Sequence, residues 1–210
     1  MSGHPGREPG SFWDERYAED DYVFGHDPNQ WMAEHAELLQ PGMTALVPGD
    51  GEGRNGVWLA ERGLQVTTID ASPIGVEKAQ RLAAARGVDI EALALDLRDW
   101  DAPQSGYDVA VLAFLHVNAN ERTEVHRIIV QTLKPGGLLL LEGFAPDHIG
   151  YGRGGPKVPD IMFTEDRLRG DFEDLLDIEV LDVLKSELPA SERHGGPAVV
   201  ARLRGWRKTS

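Results

Sequence analysis

The short apolar run Ala45-Leu46-Val47-Pro48 breaks into Gly49-Asp50-Gly51-Glu52-Gly53-Arg54-Asn55-Gly56 and passes straight into a helical pattern. A strand that turns on glycines into a helix sets up a β-turn-α unit, and the text downstream repeats the alternation. Strands are expected over 44–48, 66–70, 91–96, 108–114 and 138–143, each short, apolar and bounded by loop residues. Helices are expected over 55–62, 73–85 and 120–133, with Gly63, Gly87 and Pro135 standing where helices stop. Regular alternation of this kind implies an α/β fold with a mostly parallel sheet and helices on both faces, because right-handed crossovers place them there. Ligands of such sheets sit at the carboxyl ends of the strands.

Beyond the fifth strand come a Gly-rich loop over 150–156, a helix over 165–172, and two strands, 178–184 and 198–203, close enough to pair as an antiparallel hairpin. Ahead of the sheet, Phe12, Trp13, Tyr17, Tyr22, Phe24 and Trp31 are interleaved with acids, which reads as one or two short helices with a turn over 25–28. There is no internal repeat and no long linker, and 210 residues suit one domain. The expected organisation is a disordered tail over 1–11 and a single domain over 12–210, divided into an N-terminal lid over 12–40 and a core over 41–210.

The charge balance narrows the partners. With 21 Lys plus Arg against 35 Asp plus Glu, the net charge of −14 repels nucleic-acid phosphates and anionic lipid. The absence of cysteine excludes disulfides and thiolate chemistry, and none of the seven histidines forms a His-x-x-x-His pair, so no metal is expected. No apolar run reaches the length of a membrane span, and the first ten residues are not a signal peptide, so a cytoplasmic protein without nucleic-acid or membrane partners is expected. The oligomeric state is left open.

Gly51-x-Gly53-x-x-Gly56 also satisfies the dinucleotide-binding pattern, so the turn by itself is compatible with NAD(P) binding or with a purely structural bend. Asp70 narrows the choice. It ends the second strand about twenty residues beyond Gly49, where a carboxylate can accept both ribose hydroxyls of an adenosine ligand; capping of the helix that begins at Pro73, by Asp70 or Ser72, is compatible with that. Asp96 ends the third strand, where it can receive an adenine amino group beside the Leu97 N–H.

Leu46-Val47-Pro48-Gly49-Asp50-Gly51-Glu52-Gly53-Arg54-Asn55 resembles the glycine motif of the class I S-adenosylmethionine-dependent methyltransferases. Asp70, Asp96, Tyr107-Asp108 and Leu133-Lys134-Pro135-Gly136-Gly137 resemble that superfamily's later motifs, in the same order, and the resemblance runs from about residue 12 to 203. Gly-Glu-Gly-Arg-Asn is similar to the branch of tellurite-resistance and thiopurine methyltransferase-like proteins. Phe12-Trp13-Asp14-Glu15-Arg16-Tyr17 and Tyr22-Val23-Phe24-Gly25 resemble that branch's lid over cofactor and substrate. Two departures stand out: Val47 replaces an acidic residue usual in the strand, and Asp50 replaces a small residue or cysteine, which alters the surroundings of a sulfonium.

The resemblance implies a Rossmann-like methyltransferase fold, a parallel core finished by an antiparallel strand pair, with S-adenosylmethionine as cofactor and S-adenosylhomocysteine as product. It places Trp13, Tyr22, Gly49, Asp50, Gly51, Gly53, Arg54, Asn55, Asp70, Ala71, Ser72, Asp96, Leu97, Ala113 and Phe114 against the cofactor. Phe24, Tyr151 and Arg153 are placed against a small-molecule acceptor.

Methyl transfer from a sulfonium is an in-line displacement, so a base is optional for a soft anion and useful for an oxygen or amine acceptor. His116, after the fourth strand, is a candidate base or substrate anchor and equally a buried structural histidine, whereas His126, mid-helix, reads as scaffold. Arg193-His194 resembles, in reversed order, a His/Arg pair of the tellurite-resistance branch, and is the other catalytic candidate. Arg153 and Lys157 give a mobile loop positive charge in an acidic chain, which favours a soft sulfur, selenium or tellurium nucleophile or a small anion as acceptor. Two alternatives are an NAD(P)-dependent oxidoreductase, for which no Tyr-x-x-x-Lys is apparent, and a non-catalytic S-adenosylmethionine-binding protein.

Overall fold

The computed structural model describes residues 9–189 and 195–209. Alternate residues of a strand face opposite sides of a sheet, so a strand buried on both faces must be apolar at every position. The central strands meet that demand. Leu46 of β1 (Thr44–Pro48), Ala110 and Leu112 of β4 (Tyr107–Ala113), and Leu139 and Leu141 of β5 (Leu133–Phe144) point into one core cluster. Ala45, Val47, Val109, Val111, Leu138 and Leu140 point into the other. Each of the Val and Leu side chains contributes roughly 1.5–3 kcal/mol on burial.

The sheet has seven strands in the order β3-β2-β1-β4-β5-β7-β6. β2 (Gln65–Asp70) and β3 (Glu91–Ala94) lie parallel on one side of β1, and β4 and β5 lie parallel on the other. β7 (Gly196–Arg207) runs antiparallel to both β5 and β6 (Leu176–Leu188). This is the mostly parallel, Rossmann-like sheet with a terminal antiparallel pair that the alternation of elements implies. The strand order reverses beside β1, so a crevice forms at the carboxyl ends of β1 and β4.

Helix α1 (Pro9–Tyr17) and the single turn α2 (Gln30–Ala33) precede the sheet, so residues 9–11, expected in the tail, are helical. α3 (Arg54–Glu61) follows β1, and α4 (Pro73–Arg86) follows β2. Local chemistry sets the limits of α4: the Ser72 side chain accepts the Gly75 N–H, Pro73 occupies the first turn, and Gly87 terminates the helix at φ 68°. α5 (Arg122–Thr132) and α6 (Glu165–Phe172) cover the opposite face.

Two boundaries moved for identifiable reasons. β5 starts at Leu133, where a helix end was expected, because Leu133 pairs with Tyr107 before an irregularity; the register resumes at Val109 and Leu138. β3 stops at Ala94, and Asp96 caps a short 3-10 turn through the Arg98 N–H. Among the described residues, no helix is long and apolar enough to cross a membrane.

Candidate functional site

At the reversal of strand order a cleft opens, floored by Gly49 and Asp50 of the turn after β1, Asp70 and Ala71 at the end of β2, and Ala113 and Phe114 at the end of β4. The turn needs glycine at its first position: Gly49 has φ 71° and donates to the Ile69 carbonyl at 2.6 Å, and a side chain there would meet Leu115 Cδ1 at 2.7 Å. Gly51 and Gly53 do different work from that expected of them. Neither is on the cleft wall; at φ 58° Gly51 lies beneath the Tyr17 hydroxyl, and at φ 89° Gly53 lets α4 approach, where a Cβ would stand 2.6 Å from that of Ala79.

Asp70 binds the turn together. Its Oδ2 accepts the Gly51 N–H and its Oδ1 accepts the Ser72 N–H, both at 2.9 Å. Burial raises its pKa, opposed chiefly by the Ser72 hydrogen bond, and each oxygen retains a further acceptor site. Asp50 turns back onto the start of α3, accepting the Gly56 N–H at 2.9 Å and the Asn55 N–H at 3.3 Å. Burial nevertheless pushes its pKa up to about 7. The cleft floor therefore carries two carboxylates.

The N-terminal segment forms the roof. Phe12, Trp13, Arg16, Tyr17, Val23 and Phe24 line the cleft, with Trp13 stacked on Tyr17 at 5.3 Å and edge-on to Phe24 at 6.1 Å. A buried ion pair ties this roof to the sheet. Lys78 of α4 meets Glu52 at 2.6 Å and donates to the carbonyls of Glu19 and Asp21 at 2.7 Å, while the other Glu52 oxygen accepts the Val23 N–H at 2.8 Å. Tyr17 is held neutral: burial, then the nearby Asp70, Glu52 and Asp50 carboxylates, raise its pKa well above the usual phenol range.

The walls include Leu97, Ile69 and Leu95 on the β2–β3 side, and Arg54, Asn55 and His116 elsewhere. His116 is fully engaged: Nδ1–H donates to the Ile161 carbonyl at 3.0 Å, which leaves Nε2 to accept the Phe144 N–H at 3.1 Å. Burial pushes its pKa down to about 4. It is a neutral structural histidine on the wall, with no lone pair left for a base. His126 likewise bonds Asp171 at 2.9 Å within the core.

Other residues expected at the site lie off it. The Tyr22 hydroxyl donates to the Lys78 carbonyl at 2.8 Å, outside the cleft wall. Ser72 is the helix cap described above. Asp96 is engaged by Arg98 in a fork with contacts of 2.7 and 3.0 Å, and the adjacent Leu95 and Leu97 meet the cleft instead. In the Gly-rich loop, Gly154, Gly155 and Pro156 line the cleft, whereas Arg153 is exposed and Tyr151, 43% exposed, lies against the Lys185 ammonium. Arg193 and His194 lie outside the described residues.

Sequence reasoning missed Phe144, the pairing of Glu52 with Lys78, and Glu142. Only Glu142 carried a legible signal, a lone carboxylate ending the apolar run Leu138-Leu139-Leu140-Leu141.

The strand order, the reversal beside β1 and the cleft above it define the Rossmann-like fold of the class I methyltransferases. Residues 45–137 match a family model described as a methyltransferase domain. Over 116 residues, 53% of this chain and 45% of the relative, the sequence is 33% identical to the cypemycin N-terminal methyltransferase of a Streptomyces species. The chain thus spans under half the length of that relative. A solved structure described as the conversion of a disulfide bond into a thioacetal group during echinomycin biosynthesis superposes with a TM-score of 0.78 at 19% identity, over 97% of this chain and 93% of that one. The N-methyltransferase NodS of Bradyrhizobium japonicum WM9, solved with S-adenosylhomocysteine, superposes with a TM-score of 0.66 at 16% identity, over 95% and 98%. At these identities the structural matches establish the fold.

Proposed function

We propose that this chain binds S-adenosylmethionine in the cleft and transfers its methyl group to a small-molecule acceptor, releasing S-adenosylhomocysteine. The observation that carries this reading is the Asp70 carboxylate fixed by the glycine turn at the point where the strand order reverses, with acceptor capacity left over for a ribose. Ile69, Leu95 and Leu97 offer an apolar slot for a flat base, and Asp50 supplies negative charge for a sulfonium. The bound cofactor supplies an electrophilic methyl group. Trp13 and Phe24 keep water out, and the fixed turn provides alignment.

The acceptor is a soft sulfur, selenium or tellurium nucleophile or a small anion, because such a group reacts without proton removal and His116 has no free nitrogen to remove one. The resemblance of the Gly-Glu-Gly-Arg-Asn motif to the tellurite-resistance and thiopurine branch supports this, as does the structural match described in terms of disulfide and thioacetal chemistry. An amine is the second reading, favoured by NodS, named an N-methyltransferase, and by the cypemycin enzyme, named for methylation at an N-terminus. For the soft or anionic acceptor of the first reading, Arg193 and His194 are candidates for positive charge beside the methyl group. We place the activity in the cytoplasm, without nucleic-acid or membrane partners.

The test is S-adenosylhomocysteine release with thiols, selenite, tellurite, phenols, amines and carboxylates, alongside bulk tRNA and protein. Turnover of a small molecule is expected. Robust methylation of tRNA or protein with none of the small molecules would overturn the acceptor assignment.

A further inference from the structure

A second, smaller chamber adjoins the cleft, between the 28–30 turn, β5 and the end of β6, and shares Arg54 and Phe114 with it. Its wall includes Glu142, Arg202 and Asn29. Glu142 is already satisfied: one oxygen accepts Arg202 Nε at 2.7 Å and the other accepts Asn29 Nδ2 at 2.6 Å. That leaves Arg54.

A guanidinium has five N–H donors and stays charged at any physiological pH. Among the described residues, Arg54 makes one long hydrogen bond, Nη1 to the Phe24 carbonyl at 3.4 Å, and lies 5.9 Å from the centre of the Phe24 ring. Of the carboxylates among the described residues whose charge acts on it, Asp50 caps α3 and Glu142 pairs with Arg202, and Asp27 makes no ion pair with it. Burial depresses the Arg54 pKa, and Asp50, Glu142, Tyr17 and Asp27 oppose that electrostatically, without a salt bridge to it. A half-buried cation with spare donors, on the wall common to two cavities, is costly until an anion meets it. Phe114 adds a second sign of a built site. It holds the left-handed backbone at φ 57°, rare for an aromatic residue, with its N–H on the Glu142 carbonyl at 2.7 Å, and its side chain lines both cavities.

We propose that Arg54 anchors a carboxylate carried by the methyl acceptor, at the wall it shares with Phe114 between the cleft and this chamber, while the acceptor's nucleophile reaches into the cleft. This rests on the methyltransferase reading and narrows it to carboxylate-bearing acceptors. It moves Arg54 from the cofactor to the acceptor.

The probes are 3-mercaptopropionate and its neutral amide, titrated into protein labelled with 15N-arginine, free and saturated with S-adenosylhomocysteine. The acid is expected to shift the Arg54 Nε–H resonance and to bind at least about tenfold tighter than the amide. Arg54→Met should remove that preference and Arg54→Lys restore part of it. Equal binding of acid and amide to the native protein overturns the proposal, whether or not the variants fold. So does loss of S-adenosylhomocysteine binding in Arg54→Met with the acid preference intact, since the guanidinium then serves the cofactor. If the native protein fails to bind S-adenosylhomocysteine, the methyltransferase reading falls, and the acid–amide comparison on the free protein still decides the anchor.

Discussion

At the scale of single residues, Asp50 and His116 show how burial changes what a side chain can do. Asp50 stands at the cleft floor with a pKa raised to about 7, so its charge is lost and gained near neutrality. Preference for the cationic S-adenosylmethionine over its uncharged-sulfur product should therefore rise as pH increases from 6 to 8, and Asp50→Asn should flatten that rise. Calorimetry with both ligands across this range is the check; an equal pH dependence in the variant would place Asp50 away from the sulfonium. His116 is the opposite case. Its place after β4 was legible in the sequence, but the partners of its two nitrogens come from residues 144 and 161, far along the chain. His116→Ala is expected to cost roughly 2–4 kcal/mol of stability through lost hydrogen bonds and a cavity, while turnover of a thiol acceptor changes little. A large fall in kcat with unchanged stability would restore a catalytic role.

At the scale of elements, the roof is held by a device that periodicity does not reveal. The aromatic spacing announced a segment outside the sheet, yet its attachment depends on Glu52 of the glycine motif and on Lys78, a helix residue that no motif singles out. Both are buried, at 4% and 1% exposure, because α4 packs on the glycine turn at Gly53 and the 19–23 segment closes over them. Lys78→Met should destabilise by about 3–5 kcal/mol, since it strands a buried carboxylate. The double variant with Glu52→Gln should recover part of that loss in urea denaturation. Hydrogen exchange across residues 12–31 should slow when S-adenosylhomocysteine binds, as expected of a lid; identical exchange would mark ordinary packing. Strand positions were read well where both faces are apolar, as in 44–48. They were read poorly where Lys134-Pro135-Gly136-Gly137 interrupts the pattern and the strand nevertheless begins before it.

At the scale of the whole molecule, the pH dependence of stability contains opposing contributions from the same site. The Asp50 pKa is raised above its unfolded value, so its contribution to stability is full below pH 4 and is lost as pH rises through about 7. The His116 pKa is depressed, so its contribution is full above pH 6.5 and is lost as pH falls through about 4. Relative to the native protein, Asp50→Asn should therefore be more favourable at pH 8 than at pH 4.5, by roughly 2–4 kcal/mol in urea denaturation. No change in the difference between the two pH values would contradict the burial argument. The mostly parallel sheet with its final antiparallel pair followed from the β-α alternation, as did the end of the sheet that bears the cleft. The exact cleft wall did not follow: Asp96 and Tyr22 face other partners, set by side-chain packing rather than by motif spacing, and Arg153 is exposed.

The central claim is that the cleft is an S-adenosylmethionine site organised by Asp70, and calorimetric titration with S-adenosylhomocysteine tests it most directly. The native protein is predicted to bind in the micromolar range, and Asp70→Ala to bind at least about tenfold more weakly, as loss of charge-assisted ribose hydrogen bonds requires. Absence of binding to the native protein, or unchanged affinity in a folded Asp70→Ala, would contradict the account.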